Sequence, residues 1–220
     1  MEVRQKIILS FDLDFTLIDN REGIVNSFNY ALKKYNLPQY DKAEIEKMIG
    51  TPLEKMFAKV TDLDPTPLCS AFREYYVSEG IFQVQVFPGV KVLLPKLNKW
   101  STLGVITSKK EEIAIKLLQY LKIAKYFDFI LGETDQRKSK SDPKLTQYLL
   151  KKYEGYKFVI VGDHPYDKEL AERLECPFIG VLTGKHSSKD LKSNKARVKT
   201  IILNNVYEIT RQKIYALFQI

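Results

Sequence analysis

The chain has 220 residues, 45% of them hydrophobic and 28% charged, with a formal charge of +8. This length suits one core with a modest insertion, and the composition is that of a globular protein, which excludes a disordered or fibrous chain. The positive balance favours anionic partners, while Cys69 and Cys176 lie too far apart in sequence for a zinc site or a disulfide framework, so a reducing, cytoplasmic setting is expected.

The first element is an apolar run from Lys6 to Phe11 that ends in two acids, Asp12 and Asp14. A run this apolar reads as a strand buried on both faces of a parallel sheet. Its acids then stand at a C-terminal strand end, where open α/β sheets place their ligands. Two carboxylates at such a point repel each other and lose hydration, which is costly without a cation between them. A hard divalent metal is therefore expected there. The N-terminus reaches Asp12 too early for a signal peptide, and no apolar run approaches a membrane span, so no membrane partner is expected.

From Glu22 the period changes to helical, with Ile24, Val25, Phe28, Ala31, Leu32 and Tyr35 on one face. A short helix over Asp41–Ile49, capped by Asp41, precedes the breaker Gly50-Thr51-Pro52. Leu53–Val60 and Pro67–Ser78 are two more amphipathic helices. No strand pattern occurs between Asp19 and Glu79, which marks residues 19–84 as a separate helical unit.

From Val84 onward strands and helices alternate. The pattern predicts helices over Val90–Lys99, Glu111–Leu121, Pro143–Tyr153 and Tyr166–Leu174. It predicts strands over Thr102–Ile106, Phe127–Leu131, Lys157–Val161, Phe178–Val181 and Thr200–Leu203. Such alternation argues for βαβ units and a parallel sheet. The predicted fold class is α/β, a Rossmann-like three-layer core of residues 1–18 and 85–220 with a small all-helical domain of residues 19–84 inserted after the first strand. The basic stretch Lys185–Lys199 reads as a solvated helix face or loop, and it lacks the aromatic residues that nucleic-acid binding would add. Ile209–Ile220 reads as a helix packed on the core, with a homodimer surface as the alternative.

Three predicted strands end in reactive groups: Asp12 and Asp14, Thr107 and Ser108, and Asp163 followed by Asp167. Parallel strands finish on one edge, so these groups converge, and Lys140 in the loop before the Pro143 helix reaches the same edge. Phosphoryl transfer through a covalent intermediate needs this inventory: a carboxylate nucleophile, a second acid, oxygen ligands for a metal, and donors to the phosphoryl oxygens.

Asp12-Leu13-Asp14-Phe15-Thr16 resembles the first motif of the haloacid dehalogenase superfamily. Thr107 resembles the second, Lys140 with Ser141-Asp142-Pro143 the third, and Gly162-Asp163-His164-Pro165-Tyr166-Asp167 the fourth. Phe87-Pro88-Gly89-Val90 and Ile49-Gly50-Thr51-Pro52-Leu53 are similar to segments of the phosphoglycolate phosphatase-like branch, whose helical cap follows the first motif. The resemblance implies that Asp12 is the nucleophile and Asp14 the general acid and base. It implies Mg²⁺ held by Asp12, the Asp14 backbone carbonyl and Asp163, with Asp167 a ligand through water or a support behind the ligands, and phosphoryl oxygens bound by Thr107, Ser108 and Lys140. Thr16, Thr51, Lys55, Arg73 and His164 are candidates to meet substrate or to serve the cap. Phe15 departs from the glycine frequent at its position in the family, and Ser141 from a frequent proline.

An acid two residues after the nucleophile favours phosphoester hydrolysis over dehalogenation, because a halide leaves without a proton and an alkoxide does not. The expected protein is a magnesium-dependent phosphatase acting on a small phosphorylated metabolite. A phosphotransferase or mutase on the same scaffold and a non-catalytic phosphate-binding module are the alternatives. A pure binder would have no use for Asp14.

Overall fold

The computed structural model describes residues 6–49, 53–137, 140, 142–192 and 197–218. The first strand, β1 (Ile7–Phe11), is buried along its whole length. A two-residue strand, β2 (Ile18–Asp19), follows the acid pair. The chain then forms four helices, α1 (Arg21–Lys34), α2 (Lys42–Met48), α3 (Leu53–Phe57) and α4 (Pro65–Ser78), and returns through β3 (Gln85–Val86), which pairs with β2. After that come α5 (Val90–Asn98), β4 (Thr102–Lys110), α6 (Glu111–Tyr120), β5 (Phe129–Glu133), α7 (Pro143–Lys152) and β6 (Lys157–Gly162). The last elements are α8 (Pro165–Arg173), β7 (Phe178–Val181), α9 (Ser188–Lys192), β8 (Thr200–Leu203) and α10 (Arg211–Phe218).

The packing divides the chain into two compact units, Asp19–Gln85 and the remainder. The larger unit is a six-stranded sheet in the order β5-β4-β1-β6-β7-β8, with every pairing parallel and helices on both sides. Its strands are apolar because both faces are covered. Ile8, Phe178, Leu149 and Leu170 are among its fully shielded side chains, each contributing roughly 2 kcal/mol by leaving water. Helix α10 buries Ile214 and Leu217, and the Arg211 guanidinium lies 5.4 Å from the centre of the Trp100 ring.

The smaller unit has its own core, built from Phe28, Leu32, Ile45, Phe57 and Leu68. Phe28 and Phe57 stack with centroids 4.4 Å apart. Helix α4 starts at Pro65, two residues before the expected start, because the Asp64 side chain caps it by accepting from the Thr66 N–H. Asp41 caps α2 as expected, in a reciprocal box with Glu44.

Strand β4 departs most from expectation. It continues past Ile106 to Lys110, with a register shift against β5 between those residues. A shift of this kind re-aims side chains. Thr107 is buried, Ser108 and Lys110 are exposed, and Lys109 is largely shielded.

Candidate active site

The strand order sets the site. β1 lies between β4 and β6, the point where the chain, having built outward on one side, returns to build on the other; open α/β sheets bind ligands in the crevice at such a reversal. Phe11 is in register with Val105 of β4 and Val161 of β6, so the three strands end side by side. The Asp12 N–H donates to the Val161 carbonyl at 2.8 Å, which carries the sheet pairing one residue beyond β1 and fixes the backbone of the first acid.

Asp163 follows β6, and Asp167 lies in the first turn of α8. Carboxylate oxygens of Asp12, Asp163 and Asp167 all lie within 4.8 Å of one another, and the three residues are 8%, 5% and 1% exposed. Lys140 reaches in from the β5–α7 connection, its Nζ 2.5 Å from Asp12 Oδ1 and 2.6 Å from Asp167 Oδ1. Burial alone works against its ammonium, but the two carboxylates outweigh it and hold Lys140 charged, its pKa raised. Burial, reinforced by the charge of Asp12, lifts both Asp163 and Asp167 well above the usual carboxylate range despite the opposing pull of Lys140.

Three buried carboxylates against one ammonium leave negative charge that this cluster does not neutralise. The donors are all oxygen, which suits a hard divalent cation of the magnesium type. The surroundings suit one as well. A Cβ added at Gly162 would run into the Asp167 carboxylate, and one at Gly184 into that of Asp163, so backbone without side chains approaches the acids at both points. The Thr16 hydroxyl donates to Asp163 Oδ1 at 3.2 Å.

Asp14 stands in a different environment. Its carboxylate is paired with Lys109, Oδ2 to Nζ at 3.3 Å, and its side chain is 24% exposed. Burial raises its pKa first, with Lys109 opposing and Asp12 adding to the rise. Directly after Asp14, Phe15 takes a left-handed backbone, φ 58°, and its carbonyl accepts from the Thr183 hydroxyl. A non-glycine residue held there carries strain of order 1 kcal/mol.

The other predicted residues distribute as follows. Thr107 is 3% exposed, and its Oγ1 accepts from the Lys109 N–H at 3.2 Å. Ser108 is exposed. His164 caps α8: its Nδ1 accepts from the Tyr166 N–H, and its own N–H donates to Asp167 Oδ2. Its ring meets that of His186 edge-on, and burial draws its pKa down to about 4, so it is neutral near pH 7. Lys55 and Arg73 belong to the helical unit and are exposed there; Arg73 pairs with Glu54 at 3.1 Å. Thr51, with its neighbours Gly50 and Pro52, lies outside the described residues, as does Ser141.

Three contributors escaped the sequence reading. Lys109 touches Asp14, and its only signal was its place in the Thr107-Ser108-Lys109 strand end. Arg173, in the last turn of α8, donates to the Lys140 carbonyl and to the Thr146 hydroxyl, and so ties the lysine's loop to two helices. The Thr183-Gly184 segment after β7 packs against Phe15 and Asp163.

With the geometry in place, comparison with known proteins is decisive. Residues 8–181 match the family model of haloacid dehalogenase-like hydrolases. The chain belongs to that family. Among its relatives is "Probable phosphatase IndB" of Dickeya dadantii, 32% identical over 206 residues that cover 88% of each chain. Another is the phosphoglycolate phosphatase of Aquifex aeolicus, 30% identical over 170 residues, covering 76% of this chain and 80% of that one. Within the family the chain falls in the phosphoglycolate phosphatase-like branch. The structure of a haloacid dehalogenase-like hydrolase from Streptococcus pneumoniae superposes with a TM-score of 0.77 at 26% identity, covering 97% of this chain and 99% of that one. Among the described residues, no helix of this haloacid dehalogenase-like hydrolase is long and apolar enough to cross a membrane.

Proposed function

We propose that this haloacid dehalogenase-like hydrolase is a magnesium-dependent phosphatase that hydrolyses a small organic phosphate monoester through an aspartyl-phosphate on Asp12, with phosphoglycolate-like esters as its substrate class. One observation carries the reading: two acids separated by one residue occupy opposite environments. Asp12 lies in a buried acidic cluster against Lys140, whereas Asp14 stands outside that cluster with a raised pKa. Of two carboxylates set apart in this way, one can act as nucleophile while the other carries the proton.

In this scheme an Asp12 carboxylate oxygen attacks phosphorus while the ester oxygen departs with the proton of Asp14. Asp14, now ionised, takes a proton from the water that attacks the phosphorus of the acyl phosphate, which releases phosphate and restores Asp12. The Thr107 hydroxyl donates to a phosphoryl oxygen, and the Lys140 ammonium offsets the negative charge gathered between nucleophile and phosphoryl group. Asp12, Asp163, Asp167 and the Asp14 backbone carbonyl would hold Mg²⁺, which when bound supplies further positive charge against the phosphoryl oxygens. The helical unit serves as the cap of this branch.

The test is phosphate release from p-nitrophenyl phosphate with and without Mg²⁺, in the wild type and Asp12→Asn. Metal-dependent turnover that vanishes in Asp12→Asn supports the scheme. Equal activity in the two proteins excludes Asp12 as nucleophile. Isomerised sugar phosphate in place of free phosphate would assign the scaffold to phosphoryl transfer between sugars.

A further inference from the structure

Lys140 answers to Asp12 and Asp167, but a second shielded ammonium faces the other acid. Lys109 Nζ lies 3.3 Å from Asp14 Oδ2, on a side chain only 12% exposed, while its neighbours Ser108 and Lys110 are exposed. The irregular stretch of β4 fixes this direction, with the Lys109 N–H tied to Thr107 Oγ1. We propose that Lys109 selects phosphate esters whose leaving group carries a negative charge of its own, a carboxylate or a second phosphoryl group a bond or two beyond the ester oxygen. The inference rests on the reading of Asp14 as the acid.

An acid that protonates the leaving oxygen stands within hydrogen-bond reach of it, roughly 3 Å. Lys109 touches the same carboxylate. The leaving oxygen and the ammonium therefore share a neighbour and lie within about 6 Å of each other. A carboxylate one carbon beyond that oxygen closes most of the gap and forms an ion pair, whereas a hydroxyl in its place brings no charge. Because the ammonium is largely withdrawn from solvent, this pairing is screened less than one at the surface. Lys140 does not serve this purpose, since its two partners lie on the side of the nucleophile and of Asp167.

The experiment compares kcat/KM for 2-phosphoglycolate and for 2-hydroxyethyl phosphate, its uncharged counterpart, with saturating Mg²⁺. The proteins are the wild type, Lys109→Gln and Lys109→Arg, each checked for folding by thermal melting. The wild type prefers the charged ester by about 10- to 100-fold, the range of a charge-assisted contact. Lys109→Gln collapses that ratio, chiefly through KM of the charged ester, and Lys109→Arg retains most of it. A wild type without preference, or a Lys109→Gln variant that loses activity on both esters in equal proportion, overturns the proposal, because Lys109 would then serve only Asp14. A wild type inactive on both esters yet active on p-nitrophenyl phosphate overturns this inference alone, and one inactive on all three overturns the phosphatase reading as well.

Discussion

The Thr16 hydroxyl donates to Asp163 Oδ1 across 147 positions of sequence, joining the loop after β1 to the end of β6. Thr16 is fully buried, and the bond fixes which way one oxygen of the acidic cluster points. Partners of this kind orient metal ligands and raise affinity by about 10- to 100-fold. Thr16→Val is therefore expected to raise the Mg²⁺ concentration for half-maximal activity by about that factor, and Thr16→Ser to restore most of it. A magnesium titration of activity checks this, and an unchanged half-point in Thr16→Val would contradict it.

Asp14→Asn removes the proton that the departing oxygen requires. Its cost depends on the leaving group: about 10²- to 10⁴-fold for an alkyl ester, and far less for p-nitrophenyl phosphate, whose phenolate departs readily unprotonated. Steady-state kinetics on an alkyl and an aryl ester measures the difference. Equal losses on both would deny Asp14 its role as acid.

Arg173 acts through Lys140. Its guanidinium holds the Lys140 carbonyl and the Thr146 hydroxyl, so Arg173→Met frees the backbone that carries the ammonium. A small displacement of a charge-stabilising group is costly. The expected result is a kcat at least about tenfold lower with KM little changed, and partial recovery in Arg173→Lys. A fall in melting temperature with kcat intact would assign Arg173 a structural role alone.

The acidic cluster also sets a pH dependence of stability. Burial raises the pKa of Asp163 and Asp167 in the folded chain. Unfolded carboxylates release their protons near pH 4. Above that value these two acids bind more protons in the folded chain than in the unfolded one, so their contribution to stability without metal falls as pH rises; His164, drawn down to about 4, opposes them only up to its unfolded value near 6.5. Lys140, also raised, contributes stability that is fully present below its unfolded value near 10.4 and does not change across this window. The protein in EDTA should melt at a higher temperature at pH 5.5 than at pH 8, and saturating Mg²⁺ should shrink or reverse that difference. A melting temperature in EDTA that climbs from pH 5.5 to pH 8 would contradict this account.

The fold was legible where burial imposes a pattern. β7 and β8 fall at their expected bounds, because continuous apolar runs between turn residues leave little alternative. α7 opens where Asp142 and Pro143 indicated, with Asp142 accepting from the Lys144 N–H. The acids were legible for the same reason, as polar residues that end apolar strands. Side-chain direction was not. Periodicity assumes regular pairing, and at the β4 irregularity it gives no sign that Lys109 faces Asp14. The hold of Arg173 on Lys140 joins a side chain to a backbone carbonyl 33 positions away, a contact with no compositional signature. α9 lies inside the basic stretch read as a solvated helix face or loop, and its one fully buried residue, Leu191, is the feature that anchors it.

The most direct test of the mechanism is to trap the covalent intermediate. Protein quenched during turnover of p-nitrophenyl phosphate is treated with borohydride, which reduces an acyl phosphate to an alcohol, and its peptides are sequenced by mass spectrometry. Homoserine at position 12, formed only when substrate and Mg²⁺ are both present, is the predicted result. Metal-dependent turnover that leaves Asp12 unmodified while another carboxylate carries the mark would contradict it.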